Sequence, residues 1–319
     1  MINGTQTSMM IMKSIPHPIQ YQGSKRNLAH VILRYIPQNV DYLIEPFAGS
    51  AAITIAAAAR QLAKGYLIND LNRPLAELLR LIVEFPVDTA SFYEKVWNEQ
   101  HGDSVEHFYR IRAEFNRTQD PHLFLYLLAR CVKGSVRYNA DGMFNQSPDK
   151  RRHGTQPQTM RANIYGVSVL LKNKTGFSSL DFREILAKAK KNDLVYMDPP
   201  YQGVCGDRDS RYLSGIDHEE FITALIELNR REISYIVSYD GRRGDKTFGV
   251  LLPEFLELSR VELEAGRSSQ ATLLGRDEVT FESLYLSPSL TAKLNHKPVD
   301  YHQTKMQQYA LLEPDIEYA

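Results

Sequence analysis

The sequence predicts an α/β protein with a mainly parallel sheet, interrupted by a mainly helical insertion. Short apolar segments typical of buried strands alternate with segments of helical periodicity, as in βαβ units whose sheet is covered on both faces. In the first part of the chain the strands are "DYLIEPF" (41–47) and "GYLIND" (65–70), and the helices are "GSAAITIAAAARQLA" (49–63) and "NRPLAELLRLIVEF" (72–85). The pattern returns later as "SLDFREILAKAK" (179–190), "DLVYMDPPY" (193–201), "DHEEFITALIELNRRE" (217–232) and "ISYIVSYDG" (233–241).

Local signals define the ends of several elements. Ser24 is a candidate cap for a first helix that runs to about Tyr35. Asn72 is expected to cap the helix after the second strand, with Pro74 in its first turn. Towards the C-terminus, "TFGVLLPEFLEL" (247–258) predicts a helix, and "RVELEAGR" (260–267) and "TFESLYLSP" (280–288) predict an antiparallel pair at the sheet edge.

Residues 86–176 differ in character and predict an inserted domain. Helical patterns over about 88–100, 104–115 and 121–133 follow one another without an apolar strand, and residues 137–166 are expected to form a long polar loop or hairpin. The segment is too long for an ordinary connection. The predicted organisation is therefore a flexible arm (1–15), a first domain (16–85 and 177–290), the insertion (86–176) and a C-terminal tail (291–319).

Composition excludes several classes of protein. Lysine plus arginine and aspartate plus glutamate both number 38, so the total charge does not indicate a general polyanion binder, although it can hide a basic face. Two distant cysteines and nine scattered histidines predict neither a disulfide framework nor a metal site, and favour a reducing cytoplasm. The chain shows no secretory signal and no apolar run of about 18 residues, so we expect no membrane span.

A glycine turn and an acidic residue predict a nucleoside site. In "EPFAGSAA" the first strand turns into a helix at Gly49, where a ligand can approach the backbone closely. Asp70 ends the second strand, where an acid typically accepts hydrogen bonds from ribose hydroxyls. An ordinary βα turn with a capping aspartate is the alternative. Because GxGxxG and flanking basic residues are absent, S-adenosyl-L-methionine fits better than a dinucleotide.

The motif "VYMDPPY" places Asp198 at the end of an apolar strand, followed by Pro199, Pro200 and Tyr201. The prolines favour an extended backbone whose carbonyl groups point beyond the sheet. We expect Asp198 and the Pro199 carbonyl oxygen to accept both hydrogens of an exocyclic amino group, while Tyr201 stacks on the base. Such a pocket would aim the amino nitrogen of adenine or cytosine at a sulfonium methyl group and stabilise the developing positive charge.

These motifs, in this order, resemble the Dam-like group of DNA adenine-N6 methyltransferases over roughly 18–288. "QYQGSKRNL", "EPFAGSAA", "IND", "VYMDPPY", "RYNADGMFN" and "EVTFESLYL" are each similar to a family motif. The resemblance implies a Rossmann-like S-adenosylmethionine-dependent methyltransferase fold in which the insertion is the target-recognition domain. It implies cofactor contacts from Tyr21, Lys25, Glu45, Phe47, Gly49, Asp70 and Asp198, and catalytic roles for Asp198, Pro199, Pro200 and Tyr201.

The sequence departs from the family pattern where the target is read. Ala51 stands where many relatives have a second glycine, Tyr21 replaces a commoner tryptophan, and "QSPDK" follows "RYNADGMFN" in place of the usual residues. Lys133 and Gly134 stand where enzymes specific for GATC have Asn-Gly. GATC specificity is therefore not assumed.

A basic segment in the insertion predicts contact with double-stranded DNA. Residues 133–162 contain six lysines and arginines and only two acidic residues. Arginine can read guanine and asparagine can read adenine, whereas a run of basic residues more typically contacts phosphates. The predicted DNA-binding residues are Arg137, Tyr138, Asn139, Phe144, Asn145, Lys150, Arg151 and Arg152, with a second contact from the loop 266–278.

The predicted function is transfer of a methyl group to N6 of an adenine that is extruded from DNA. Methylation of adenine in RNA, or of cytosine N4, is the first alternative, although cytosine enzymes usually carry serine in place of Asp198. A non-catalytic DNA-binding protein with a decayed fold is the second, and the intact "DPPY" argues against it. A restriction endonuclease that acts on the same site is a possible partner, and the oligomeric state is not predicted.

Overall fold

A computed structural model describes residues 14–200, 216–243, 246–248, 251–267 and 279–294. Tyr201, nearly all of the predicted arm and tail, and the loop 266–278 beyond residue 267 lie outside the described residues. None of the helices in the described ranges is long and apolar enough to cross a membrane.

The strands form one sheet in the order β3-β2-β1-β4-β5-β8-β7, with β6 paired to β5. Strands β1 to β5 are parallel, and β8 runs antiparallel to both β5 and β7. The predicted α/β class and antiparallel edge are confirmed. The strands are β1 (Val40–Glu45), β2 (Ala63–Asn69), β3 (Thr175–Ser178), β4 (Leu194–Met197), β5 (Ser234–Arg243), β6 (Lys246–Phe248), β7 (Ser259–Arg267) and β8 (Val279–Leu286).

The helices follow the apolar periodicity of the sequence, with 3₁₀ turns at Lys25–Leu28, Leu33–Tyr35, Val132–Gly134 and Glu254–Leu256. The α-helices are α1 (Ala29–Ile32), α2 (Ala52–Ala59), α3 (Arg73–Glu84), α4 (Pro86–Asn98), α5 (Ser104–Thr118), α6 (Pro121–Arg130), α7 (Pro157–Leu171), α8 (Phe182–Lys188), α9 (His218–Arg230) and α10 (Pro288–Leu294).

Four local predictions were wrong. The Ser24 hydroxyl does not cap the first helix, because it hydrogen-bonds the Ser50 hydroxyl at 2.9 Å. Asn72 begins α3 without a side-chain cap, because its amide pairs with Tyr138. The polar stretch 137–166 ends in α7, and in the predicted helix 247–258 the described residues form the end of β6 and a 3₁₀ turn.

The core lies on both faces of the sheet. On one face, helices α8 and α9 pack against alternate residues of β4 and β5, such as Val195 and Val237. On the other face, helices α2 to α7 share one continuous apolar cluster with Leu43, Leu194 and Ile236. The helices of the predicted insertion are therefore packed together with the sheet, and the predicted boundary at 176 falls inside β3.

The strand order reverses at the centre of the sheet. The chain proceeds outward from β1 to β2 and β3, then returns to the other side of β1 as β4. Consecutive connections leave in opposite directions at this point, which opens a crevice at the carboxyl ends of β1 and β4. Glu45 ends β1 and Asp198 follows β4, so both carboxylates lie at this crevice.

The buried side chain of Asn69 ties three strand ends together. Its Nδ2 donates to the carbonyl oxygens of Pro46 and Leu180, each at 2.9 Å. Its Oδ1 accepts from the Ser178 hydroxyl at 2.8 Å and from the Leu180 N–H at 2.9 Å. Asn69 thus fixes the end of β2 against the residues that follow β1 and β3.

We expect Asn69→Ala to lower the free energy of unfolding by about 3 kcal/mol, because it leaves several buried polar groups without partners. Urea denaturation measures this change. The matched control is Asn98→Ala on the exposed end of α4, which should change stability by less than about 0.5 kcal/mol. Equal effects of the two substitutions would contradict the proposed role of Asn69.

Candidate active site

A cavity of about 340 Å³ lies at the carboxyl edge of the sheet, where the strand order reverses. It brings together residues from the N-terminal segment, β1, β2 and β4 that are far apart in the sequence. All seven residues predicted to contact the cofactor line it: Tyr21, Lys25, Glu45, Phe47, Gly49, Asp70 and Asp198. Pro199 and Pro200 also line the cavity.

The glycine turn has a left-handed backbone conformation. Gly49 has a φ of +52°, and a Cβ atom there would lie 3.1 Å from Cε1 of Tyr21. The absence of a side chain therefore lets the Tyr21 ring lie directly against the turn. Ala51 is also left-handed, with a φ of 54°, although this conformation disfavours a residue with a Cβ atom.

Asp70 holds this turn in place. Its Oδ2 accepts from the Gly49 N–H at 2.8 Å, and its Oδ1 accepts from the Asn72 N–H at 2.9 Å. Burial raises the pKa of Asp70, and these two hydrogen bonds oppose the rise. Each carboxylate oxygen has a second lone pair, so the same side chain can still accept from a ligand hydroxyl.

Glu45 is a buried carboxylate at the end of β1. It is 2% exposed, and its Oε2 accepts from the Thr54 N–H of α2 at 3.2 Å. Burial raises the pKa of Glu45 to about 8, and the negative charge of Asp198 contributes to the rise. Phe47, two residues later, packs against Phe182 with ring centroids 5.4 Å apart.

Lys25 forms an ion pair with the predicted catalytic carboxylate. Its Nζ lies 2.8 Å from Oδ2 of Asp198, and the lysine side chain is only 7% exposed. Asp198 is 21% exposed and faces the cavity from the end of β4. The N-terminal motif and the "DPPY" motif are thus joined by a buried charge pair.

Sequence reasoning missed a group of lining residues that follow β3. Asp181 caps α8 and Phe182 packs on Phe47. Arg183 pairs with Asp181 at 2.7 Å and with Glu220 at 2.8 Å. These residues follow the third parallel strand, and this position would have indicated that they line the site. The strand itself was not predicted, because "TGFS" is too short and too polar.

The cavity is acidic. Among the described residues, six acidic side chains line it against two basic side chains, Lys25 and Arg183, and both basic side chains are paired with carboxylates. Such a lining disfavours phosphate groups and favours a ligand with positive charge. The carboxylates belong to Glu45, Asp70, Asp181, Asp198, Asp217 and Glu220.

The predicted DNA-binding segment forms a short hairpin with two different faces. Tyr138 bridges to Phe144, and main-chain hydrogen bonds join Asn139 to Met143 and Asn145 to Arg137. Side chains alternate between the protein and solvent, as expected for extended strands. Arg137, Asn139, Met143 and Asn145 are exposed, whereas Val136, Tyr138, Phe144 and Gln146 are buried.

Two of the residues predicted to bind DNA are buried in the protein. Phe144 is 1% exposed and packs against Phe115 and Phe124 of α5 and α6, with centroids 5.9 and 5.6 Å away. Tyr138 is 6% exposed, lines the cavity and donates its hydroxyl hydrogen to Oδ1 of Asn72 at 3.2 Å. These rings fix the hairpin to the protein and do not belong to its solvent-facing side.

The hairpin is also joined to the N-terminal motif. The Gln22 N–H donates to the Gly134 carbonyl oxygen at 3.0 Å. A Cβ atom on Gly134 would lie 2.7 Å from the carbonyl carbon of Gln20, so glycine is needed for this close approach. The hairpin therefore forms one wall of the cavity through its buried face, with its exposed face turned outward.

A basic turn follows the hairpin and is held by a buried arginine. Lys150, Arg151 and Arg152 are exposed. Arg130 at the end of α6 is 1% exposed and donates to the carbonyl oxygens of Asp149, at 2.8 Å, and of Arg152. The guanidinium thus fixes the main chain of the turn while the three basic side chains point outward.

The sheet order and the motifs at its carboxyl edge define a protein with a Rossmann-like methyltransferase fold. Residues 21–264 match the family model of the D12 class N6 adenine-specific DNA methyltransferases, and the chain belongs to this family. The match includes the N-terminal motif, the glycine turn, the hairpin and "DPPY".

Several characterised proteins are similar to the chain. A DNA adenine methylase of Serratia marcescens is 29% identical over 191 residues, which cover 57% of this chain and 66% of that protein. A DNA N-6-adenine-methyltransferase of Escherichia phage P1 is 25% identical over 235 residues, covering 70% of this chain and 29% of that protein. The modification methylase StsI of Streptococcus sanguinis is 28% identical over 203 residues, which cover 59% of this chain and 29% of that protein. The chain thus matches less than two thirds of the length of each.

The raised pKa of Glu45 predicts a specific dependence of stability on pH. Between 4.5, the ordinary pKa, and about 8 the folded protein retains a proton that the unfolded chain has released. The contribution of Glu45 to stability therefore falls as the pH rises through this range, by at most ~1.4 kcal/mol per pH unit. Glu45→Gln should remove this loss, so its stability relative to the wild type should increase from about pH 5 to about pH 8.

Urea denaturation at several pH values measures the difference between the wild type and Glu45→Gln. The exposed Glu254→Gln is the control, and its difference from the wild type should stay constant. A constant difference for Glu45→Gln would show that Glu45 ionises normally in the folded protein.

Proposed function

We propose that the protein transfers a methyl group from S-adenosyl-L-methionine to N6 of an adenine extruded from double-stranded DNA. The observation that carries the proposal is the position of Asp198, which faces a carboxylate-lined cavity together with the Gly49 turn and Asp70. Membership of the D12 family and the names of the similar proteins support the same reaction.

The cavity fits the methyl donor on three grounds. The Gly49 turn lines the cavity, and Asp70 keeps lone pairs free for ribose hydroxyls. Tyr21 and Phe47 offer aromatic surface, and the carboxylates suit a ligand with a sulfonium and an ammonium group. When bound, this cofactor supplies an activated methyl group on a positively charged sulfur.

Asp198 and the residues after it would orient the target. The Asp198 carboxylate and the Pro199 carbonyl oxygen accept the two hydrogens of the adenine amino group, which aims the nitrogen lone pair at the methyl carbon. A bond forms from N6 to this carbon while sulfur keeps the electron pair of the broken carbon–sulfur bond. The negative charge of Asp198 stabilises the positive charge on N6 until N6 loses a proton to water.

The exposed face of the hairpin and the basic turn would bind the DNA. Arg137, Asn139 and Asn145 present donors and acceptors on a two-stranded ribbon, an element that the major groove can accommodate. The side-chain oxygen Oδ1 of Asn139 also accepts from the N–H groups of Asp141 and Met143, so this side chain shapes the tip of the hairpin. The residues of the turn, Lys150, Arg151 and Arg152, are suited to phosphates.

Asp198→Ala tests the catalytic assignment. We expect methyl transfer to fall by about 10²-fold to 10³-fold or more, because the charge on N6 loses its counter-charge, while DNA binding persists. The rate is measured as transfer of labelled methyl groups to duplex DNA. The same assay with adenine-free DNA detects methylation of cytosine N4, and with RNA it detects methylation of RNA. Asp88→Ala on the exposed face of α4 is the control. Activity near the wild-type rate would overturn the assignment.

Replacing both Arg151 and Arg152 with glutamine tests the DNA-binding turn. If each contacts one phosphate, the slope of log affinity against log salt should decrease in magnitude by up to about 1.8. The control replaces Lys188, the last residue of α8, and Lys190, which follows this helix; both are exposed and lie at the opposite edge of the sheet. An unchanged slope for the arginine variant would place the DNA elsewhere.

A further inference from the structure

Glu282 of β8 is a second carboxylate beside Lys25. Nζ of Lys25 lies 2.8 Å from Oδ2 of Asp198 and 3.4 Å from Oε2 of Glu282. The side chain of Glu282 is 25% exposed, and it does not line the cavity. We call these three residues the Lys25 cluster; it holds two carboxylates and one ammonium group.

The environment of Glu282 is unfavourable for a residue that serves only stability. Its Oε2 is shielded from solvent and has no hydrogen-bond partner among the described residues. The 3.4 Å separation from Lys25 is longer than the ~2.7–3.2 Å of an N–H···O hydrogen bond. A buried carboxylate oxygen without a hydrogen bond destabilises the folded state.

An irregularity in the sheet brings Glu282 to this position. The pairing of β5 with β8 shifts register between Ser238 and Gly241, and Gly241 stands directly opposite Glu282. A Cβ atom on Gly241 would lie 2.5 Å from the Phe281 carbonyl oxygen, so the strands approach closely only because residue 241 is glycine. Glu282 and Leu284 point to the same face of the sheet, and Leu284 packs in the core on that face.

We infer that Glu282 is a positioning residue for methyl transfer, which it assists by holding Lys25 when Asp198 engages the amino group of the target base. The inference rests on the proposed function. Lys25 occupies Oδ2 of Asp198 in the present structure, and an incoming amino group must compete for the same carboxylate. Glu282 offers the ammonium group a second acceptor, which leaves lone pairs of Asp198 available.

Glu282 also sets the charge of the site. With Glu282 ionised, the Lys25 cluster carries a net charge of minus one, which favours the positive charge that develops on N6. With a neutral residue in its place, Lys25 cancels the charge of Asp198. The rate of methyl transfer should then fall although both ligands still bind.

Glu282→Gln tests this role because it keeps the shape of the side chain and removes its charge. We expect the single-turnover rate of methyl transfer to fall about 10-fold to 10²-fold, with dissociation constants for S-adenosyl-L-methionine and DNA changed less than about threefold. The unfolding midpoint should stay the same or rise, because a neutral amide is less costly to bury than a carboxylate. Glu282→Asp, which keeps the charge, should recover part of the rate.

A double-mutant cycle with Lys25→Met shows whether Glu282 acts through Lys25. If it does, Glu282→Gln should lower the rate of Lys25→Met protein by a clearly smaller factor than it lowers the wild-type rate, because only the direct effect of its charge remains. Equal effects in both backgrounds, an unchanged rate in Glu282→Gln, or a loss of rate that accompanies a loss of stability would each overturn the inference. Glu254→Gln is the matched control. Wild-type protein that transfers no methyl group would instead refute the proposed function.

Discussion

The reversal of strand order between β1 and β4 is the constraint on which the site depends. Because successive connections diverge there, main chain does not fill the space beyond the two strand ends. The residues that follow β1, β2 and β4 meet around this space, and Asn69 locks the ends of β2 and β3 beside it. The Gly49 turn and Asp198 therefore receive their positions from the sheet itself.

The same packing makes the DNA-facing hairpin part of the cavity wall. Tyr138 hydrogen-bonds Asn72, which in turn donates its N–H to Asp70. Gly134 contacts the main chain of the N-terminal motif. A displacement of the hairpin would thus act on the residues that hold the glycine turn.

Sequence reasoning was accurate where one physical signal dominated. Apolar strands flanked by helical periods predicted β1, β2, β4 and β5, and the residues selected directly after them line one cavity. It failed where tertiary contacts decided the outcome. The polar strand β3 is stabilised by pairing with β2, and α7 by packing on α3 and α4. From the sequence, Tyr138 and Phe144 were predicted to contact DNA. Their side chains are buried because side chains alternate between the two faces of the hairpin, and the sequence did not reveal that this segment forms a hairpin.

The distribution of charge in the site runs against stability. Glu45 and Asp70 are buried acids at the same cavity as Asp198, and burial raises the pKa of both, while Oε2 of the partly exposed Glu282 is also shielded from solvent. A fold selected for stability alone would replace them with neutral or apolar residues. Buried charges that destabilise the fold occur most often at functional sites, and packing elsewhere in the protein offsets the lost stability. Lys25 offsets only one of the two negative charges of Asp198 and Glu282. A site that keeps a net negative charge suits a reaction in which the methyl donor is a cation and the methylated nitrogen becomes positively charged.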